Sequence, residues 1–173
     1  NDYNASHENY YFSKIDIKNE SEMLQVFEKF LPDKIINIAA ETHVDNSIQS
    51  PKIFFETNIL GTYNLLEASL KYWKTKKNNF FCFHHVSTDE VFGSLKKNDI
   101  PFHEQSIYRP NSPYSASKAA SDHIVRSWNK TYNLPISITH CGNNYGPYQS
   151  PEKLIPLTII RCFDKKKIPV YGN

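Results

Sequence analysis

A tyrosine and a lysine spaced four residues apart are the first candidates for chemistry in this sequence. Tyr114 and Lys118 belong to the segment Tyr-Ser-Ala-Ser-Lys, and on a helix this spacing places both side chains on one face. A lysine ammonium beside a phenol favours the phenolate, lowers the pKa of the tyrosine and makes it a usable base near neutral pH. An unrelated surface tyrosine and lysine share the same spacing in many proteins, so this interpretation also stays open.

A hydroxyl and two carboxylates follow one another at the end of an apolar segment. Thr88, Asp89 and Glu90 follow Ser87, which ends the largely apolar run of residues 80–86. Adjacent residues of an extended strand point to opposite faces, so the three side chains converge on one ligand only if the chain turns there. Gly93 permits such a turn. A solvated acidic turn is the alternative interpretation.

Two other segments carry groups suited to ligand binding. Small residues in the segment 37–45 end an apolar run and let a flat cofactor approach the backbone. Asn143, Asn144 and Lys153 supply carboxamides and an ammonium that bind sugar hydroxyls and a diphosphate, although a plain Asn-Gly-Pro loop has the same composition. His43 has no second histidine at ligand spacing, so we expect no metal site.

The elements that must position these residues alternate along the chain. Apolar periodicity and proline positions predict helices over residues 21–31, from Pro51 to beyond Trp73, over 113–132 and from Pro151 or Glu152 onward. Strands are predicted at 11–17, 34–40, 80–86, 136–140 and 168–171, and the lack of alternation in 34–40 indicates a strand buried on both faces. This order predicts an α/β fold, a doubly wound parallel sheet of Rossmann type, with ligands at the carboxyl ends of the strands.

Composition excludes several classes of function. The chain has 173 residues with 39% hydrophobic content and a net charge of +2 from 20 basic and 18 acidic residues, which indicates one globular unit and no nucleic-acid partner. No apolar run approaches the roughly 18 residues of a membrane span. The three cysteines lack Cys-x-x-Cys spacing, so we expect neither disulfides nor zinc, and a reducing cytoplasmic location.

Together these segments resemble the dTDP-glucose 4,6-dehydratases, which are NAD-dependent enzymes of the extended short-chain dehydrogenase type. The resemblance covers about Tyr11 to Gly172, nearly the whole chain. Within this superfamily the Thr-Asp-Glu triplet distinguishes the dehydratases from 4-epimerases, which have small residues at the positions of Asp89 and Glu90. The segments that carry the resemblance are Asp16-Ile17, Ala39-Ala40-Glu41-Thr42-His43-Val44-Asp45, Thr57-Asn58-Ile59-Leu60-Gly61-Thr62, Ser87-Thr88-Asp89-Glu90-Val91, Tyr114-Ser115-Ala116-Ser117-Lys118 and Asn143-Asn144-Tyr145-Gly146-Pro147.

The resemblance implies a reaction and a role for each catalytic residue. Tyr114, assisted by Lys118, takes the proton of the glucose 4-hydroxyl while hydride passes from C4 to NAD, and Thr88 hydrogen-bonds that oxygen. Glu90 then removes the C5 proton, Asp89 protonates the leaving 6-hydroxyl, and hydride returns to C6. The product implied is dTDP-4-keto-6-deoxyglucose.

The resemblance also implies the binding residues. Cofactor contacts are implied for Asp16, Ile17, Ile38, Ala39, Ala40, Glu41, Thr42, Thr57, Tyr114, Lys118 and Asn144. Contacts with the sugar nucleotide are implied for Thr42, Thr88, Asn143, Lys153, Leu154, Pro169, Val170 and Tyr171. A homodimer through the helices that begin near Pro51 and Pro113 is implied as well.

The sequence departs from this family most at its ends. Its five glycines form no Gly-x-x-Gly-x-x-Gly loop, so we expect an internal fragment that is inactive when isolated. Residues 1–173 would form the central part of the NAD-binding domain, with the substrate-binding region starting at about 143–173. UDP-glucose as the substrate, or a non-catalytic Rossmann-like binding protein, are the alternatives.

Overall fold

The computed structural model describes residues 9–76 and 80–168. The chain divides into two compact units, of which the first ends at Cys141 and the second begins at Gly142. The first unit holds the sheet and most of the helices, and the second holds one helix. Within residues 9–76 and 80–168, no helix is long and apolar enough to cross a membrane.

Three parallel strands form the sheet of the first unit. Strand β1 spans Lys34–Asn37, β2 spans Cys82–Thr88 and β3 spans Ile136–Cys141, in the order β1-β2-β3. The register aligns Ile36 with His84 and Thr88 with Cys141, so the carboxyl ends of β2 and β3 meet at one edge. The predicted α/β class with a parallel sheet is confirmed.

Helices connect these strands. In the first unit the helices are α1 (Glu20–Phe30), α2 (Val44–Gln49), α3 (Pro51–Phe54), α4 (Thr62–Lys76) and α5 (Pro113–Tyr132). A π-helical segment, Phe55–Gly61, joins α3 to α4. The α5 bounds match the prediction because local chemistry sets both ends. Ser112 forms a capping box with Ser115 before the proline at the first turn, and Asn133 ends the helix in the left-handed conformation at φ 58°.

The core lies between the sheet and the helices α1, α4 and α5. Alternate residues of β2 point into it, and Phe83 is fully buried together with Leu66, Val125 and Leu134. Burying apolar side chains of this size stabilises the fold by about 1.5–3 kcal/mol each. Because α5 is fixed on this core, the side chains at its amino-terminal end are held beside the end of β2.

Several sequence predictions for elements of the first unit differ from the structure. Residues 11–17 form no strand, because their backbone makes no ladder hydrogen bonds with the described residues. Residues 44–49, for which no helix was predicted, form α2, whose first turn is capped by His43. Burial of the 34–40 strand on both faces is wrong for the described residues, because helices cover one face and Ile36 remains 60% exposed on the other.

The second unit contains α6, Leu154–Phe163. The prediction placed its start at residue 151 or 152, whereas turns occupy residues 151–153 and Lys153 is the N-cap residue. Before the helix, the side chain of Gln149 donates a hydrogen bond to the carbonyl of Asn144. The strand predicted at 168–171 lies almost wholly outside the described residues.

Candidate active site

The chain turns immediately after β2, as the acidic triplet requires. Residues Asp89–Phe92 form a 3₁₀ turn in which the Thr88 hydroxyl accepts a hydrogen bond from the Glu90 amide at 3.3 Å. The turn ends at Gly93, where φ is 97° and an added Cβ would lie 2.7 Å from the carbonyl oxygen of Arg109. Only glycine fits there without strain. We call residues 88–93 the acidic turn.

Helix α5 places Tyr114 and Lys118 beside the acidic turn. Both side chains are buried, with 8% of Tyr114 and 4% of Lys118 exposed. The Thr88 side chain lies near enough to the Tyr114 phenol to lower its pKa, and the Lys118 ammonium donates to the carbonyl of Val86 at 2.8 Å. Thr88, Tyr114 and Lys118 therefore meet at the carboxyl end of β2, where the acidic turn carries Asp89 and Glu90.

The electrostatic state of Tyr114 differs from the sequence prediction. Burial is the largest influence and raises the pKa of the Tyr114 phenol, and the Glu90 charge raises it further, while the hydrogen bond from Thr88 opposes both. The expected lowering by Lys118 is absent from this arrangement because the ammonium is directed to the Val86 carbonyl. The phenol is therefore protonated at neutral pH in this structure.

The pKa of Lys118 is governed by two opposing effects. Burial lowers the pKa of the ammonium, because desolvation disfavours the charged form. The negative charge of Asp122, one helical turn further along α5, raises it. The carboxylate of Asp122 is therefore part of the environment that decides the charge of Lys118.

The segment after β1 is fixed by a buried asparagine that the sequence prediction did not assign to the site. Asn58 lies in the π-helical segment, and its side chain accepts from the Glu41 amide at 2.9 Å and donates to the Glu41 carbonyl at 3.0 Å. It also donates to the Ser117 hydroxyl at 2.8 Å. Asn58 thus joins the end of β1 to α5. The sequence signal that could have identified Asn58 is a polar residue within an apolar helical pattern.

We expect Asn58→Ala in the intact protein to destabilise it by about 1–3 kcal/mol, because the buried Glu41 amide and carbonyl would lose their partner. Urea unfolding followed by circular dichroism measures this loss. Asn46→Ala, at an exposed position of α2, is the matched control and should change the unfolding free energy by less than about 0.5 kcal/mol. Equal losses in the two variants would contradict the bridging role of Asn58.

The other predicted cofactor residues lie in accessible positions of the first unit. Ile38 and Ala39 are exposed and Ala40 is half-buried at the end of β1, which leaves the backbone open to a flat ligand. The remaining residues in this group are Asp16 and Thr42, which are exposed, and Ile17, Glu41 and Thr57, which are half-buried. The Ile17 side chain packs directly over Gly61, since a Cβ added there would lie 2.6 Å from it.

The predicted substrate residues beyond Cys141 and the predicted cofactor residue Asn144 belong to the second unit. Asn143, Asn144 and Leu154 are exposed and Lys153 is half-buried. Pro169, Val170 and Tyr171 lie outside the described residues. The roles of all these residues remain predictions.

A second polar cluster, also missed in the sequence, lies behind Lys118. Its centre is the Asp122 carboxylate, whose Oδ2 accepts hydrogen bonds from the Ser87 hydroxyl at 2.8 Å and the Tyr108 hydroxyl at 3.1 Å. The Nε2 atom of His140 is 3.1 Å from the same oxygen, and Nε2 of His85 is 3.4 Å from Oδ1. We call these five residues the Asp122 cluster.

Comparison with known proteins gives one consistent result. The family model described as GDP-mannose 4,6 dehydratase matches residues 1–173. The dTDP-glucose 4,6-dehydratase of Neisseria meningitidis serogroup B is 51% identical over 172 residues, which covers 98% of this chain and 48% of that protein. The chain therefore spans about half the length of the curated relatives it matches.

Solved structures give the same picture. The dTDP-glucose 4,6-dehydratase DesIV of Streptomyces venezuelae, crystallised as a double mutant with NAD bound, superposes with a TM-score of 0.88 at 39% identity, covering 98% of this chain and 49% of that one. The Bacillus anthracis dTDP-glucose 4,6-dehydratase in complex with NAD gives a TM-score of 0.86 at 44% identity, covering 99% and 50%.

Proposed function

Because the chain belongs to the family described as GDP-mannose 4,6 dehydratase, we propose that the intact protein is a nucleotide-sugar 4,6-dehydratase that converts dTDP-glucose to dTDP-4-keto-6-deoxyglucose. The observation that carries the proposal is the acidic turn, which holds Asp89 and Glu90 next to the buried Tyr114 and Lys118. Elimination of water needs one group that removes a proton and another that protonates the leaving hydroxyl. Two adjacent carboxylates beside a phenol supply both.

The roles follow from where each group lies. Tyr114 takes the proton of the sugar 4-hydroxyl as the phenolate, so it must first release the proton that it carries in this structure. Thr88, whose side chain lowers the pKa of that phenol, hydrogen-bonds the sugar oxygen. Glu90 influences the Tyr114 pKa more than Asp89 does, which supports Glu90 as the carboxylate nearer the oxidised carbon and as the base at C5. Asp89, exposed at the outer side of the acidic turn, protonates the leaving 6-hydroxyl.

The residues present fit NAD as the cofactor. Small, accessible residues follow β1, and Asn58 holds the Glu41 backbone in place. Ile38, Ala39, Ala40, Glu41 and Thr42 would hold the cofactor there, with Asp16, Ile17 and Thr57 nearby. When bound, NAD would accept hydride from C4 of the sugar and return it to C6, and Glu90 would give a proton back to C5. Lys118 and Tyr114 complete this proposed cofactor contact.

The proposal extends to domain organisation and assembly. Residues 1–173 form the central part of the NAD-binding domain, and the substrate-binding region begins at about 143–173. A homodimer is supported by the apolar side chains that α3 and the π-helical segment leave accessible, where Ile53, Phe55 and Leu60 are all more than 40% exposed. A cytoplasmic location rests on the cysteine pattern of the sequence.

The test is turnover of defined substrates by the intact protein with NAD. We expect dTDP-glucose to lose one water and form a 4-keto-6-deoxy sugar, detected by mass spectrometry and NMR. UDP-glucose and GDP-mannose in parallel reactions test the nucleotide preference, and faster conversion of UDP-glucose would reassign the substrate. Binding of dTDP-glucose and NAD without any conversion would favour a non-catalytic binding protein.

A further inference from the structure

The Asp122 cluster is a buried network that the proposed chemistry does not use. Asp122 is 2% exposed and His85 is completely buried, so the network is shielded from water. Burying an isolated carboxylate destabilises the folded protein. Buried carboxylates therefore occur where hydrogen bonds and nearby positive charge stabilise the ionised form. The position of this carboxylate relative to the active site indicates what it does.

One connection runs from Asp122 to the acidic turn. Ser87, whose hydroxyl donates to Asp122 at 2.8 Å, directly precedes Thr88, the first residue of the acidic turn. On the other side of Ser87, the Val86 carbonyl accepts from Lys118 at 2.8 Å. Two successive residues of β2 are therefore tied to α5, one by Asp122 and one by Lys118. These ties fix the acidic turn relative to the helix that carries Tyr114.

A second connection is electrostatic. Asp122 and Lys118 are neighbours on one face of α5, four residues apart, and both are buried. Burial raises the pKa of the Asp122 carboxyl, but the hydrogen bonds with Ser87 and His140 and the nearby His85 ring lower it below its usual range, so it stays ionised at neutral pH. The carboxylate therefore provides a negative charge behind the Lys118 ammonium.

His85 of β2 supports this arrangement without neutralising the charge of Asp122. The Asn37 amide nitrogen lies 3.2 Å from His85 Nδ1, so Nδ1 accepts and the ring proton is on Nε2, which faces Asp122 at 3.4 Å. Burial lowers the pKa of His85, and the ring is neutral at neutral pH. Asp122 and Lys118 face each other. The other titratable groups that face them are His85 of β2, His140 and Cys141 of β3, and Tyr108 of the loop before α5.

We propose that Asp122 is a positioning residue that ties the acidic turn to α5 through Ser87 and supplies the negative charge that accompanies the buried Lys118 ammonium. The role rests on the proposed function, because it acts on residues assigned to that reaction. Asp122 itself touches none of the reacting groups in this assignment. Its effects pass through Ser87 to the acidic turn and through its negative charge to the Lys118 ammonium.

Asp122→Asn in the intact protein tests the charge directly. Asparagine keeps the shape and accepts the Ser87 and Tyr108 hydrogen bonds, but it removes the charge that raises the pKa of Lys118. We expect Lys118 to lose its proton at lower pH than in the wild type, followed through the ¹³Cε resonance of labelled lysine and assigned with Lys118→Arg. This titration needs no substrate, so it is independent of whether dTDP-glucose is the substrate.

Activity measurements complete the test. If the wild type dehydrates dTDP-glucose, Asp122→Asn should lower kcat roughly 10- to 100-fold with little change in KM, because a hydrogen-bonded charge is lost behind the catalytic groups. The alkaline limb of the kcat profile should move to lower pH with the Lys118 titration. Asp99→Asn, which removes an exposed carboxylate from the loop before α5, should leave both kcat and the Lys118 titration unchanged.

Ser87→Ala separates the hydrogen bond between Asp122 and Ser87 from the effect of the Asp122 charge on Lys118. It also tests the proposal if Asp122→Asn does not fold. It should lower kcat roughly tenfold by releasing the acidic turn, while Lys118 titrates as in the wild type because the Asp122 charge remains. An unchanged Lys118 titration in folded Asp122→Asn, or an unchanged kcat in Ser87→Ala, would overturn the proposal. A wild type that dehydrates no nucleotide sugar would overturn the proposed function, and the Lys118 titration would still be decisive for the charge.

Discussion

Tyr114→Phe in the intact protein is expected to reduce kcat by roughly 100- to 10,000-fold, the range typical of losing a general base. Only the phenolic oxygen is removed, so the ring can keep its edge-on packing against Phe54, with ring centroids 6.4 Å apart. Folding should therefore be preserved. The reaction should stop before the sugar is oxidised. Stopped-flow absorbance at the NADH band, with dTDP-glucose and bound NAD, should show no early rise.

Tyr132→Phe is the matched control for this variant. Tyr132 lies at the other end of α5, is 40% exposed and packs edge-on against Trp128. Removing its hydroxyl should leave kcat within about twofold of the wild type, because exposed surface changes have small effects. An NADH signal that still rises at the wild-type rate in Tyr114→Phe would exclude Tyr114 as the base that acts at the 4-hydroxyl.

The pKa of Tyr114 shows where inference from spacing reached its limit. The Tyr-x-x-x-Lys spacing correctly placed Tyr114 and Lys118 on one buried helix face, because helical periodicity depends only on local sequence. The direction of the pKa change depends on burial, on the Glu90 carboxylate and on the carbonyl that Lys118 bonds. Those neighbours come from other elements, so the predicted lowering was wrong for this structure.

Element positions divide in the same way. Helix α5 was predicted with its correct bounds because proline, a capping serine and a left-handed asparagine are local signals. The strand at 11–17 was predicted from composition alone, and a strand forms only where a neighbouring strand supplies ladder hydrogen bonds. The sequence only permitted a turn after β2, through Gly93, and the structure has that turn, with a positive φ at Gly93.

The Asp122 cluster and Asn58 could not be found from the sequence for a related reason. Ser87, Tyr108, Asp122 and His140 are far apart in the chain and each resembles an ordinary polar residue. Only the parallel register of β2 and β3, with α5 packed across them, brings these four side chains together. Motif spacing thus identifies functional residues that are close together in the sequence. Residues that support them from other elements can be identified only from the fold.

Glu90→Gln in the intact protein should stop the reaction at the second step, with a loss in overall turnover of roughly 100- to 10,000-fold. Glutamine is nearly isosteric with glutamate, so the 3₁₀ turn and the hydrogen bond from the Glu90 amide to Thr88 at 3.3 Å should persist. The amide cannot take a proton from C5. Oxidation at C4 uses Tyr114 and should still occur, so the early NADH absorbance should appear and then decay slowly.

Deuterium exchange distinguishes this assignment from the reverse one, in which Asp89 is the base. Wild-type product formed in deuterated water should carry deuterium at C5, detected by NMR. Incubation of dTDP-glucose with Asp89→Asn should still exchange C5 while elimination slows, because the acid and not the base is missing there, whereas Glu90→Gln should show neither exchange nor product. Glu104→Gln, exposed in the loop between β2 and α5, serves as the matched control and should behave as the wild type. Near-normal turnover in Glu90→Gln, or C5 exchange lost in Asp89→Asn but kept in Glu90→Gln, would contradict the proposed division of roles between the two carboxylates.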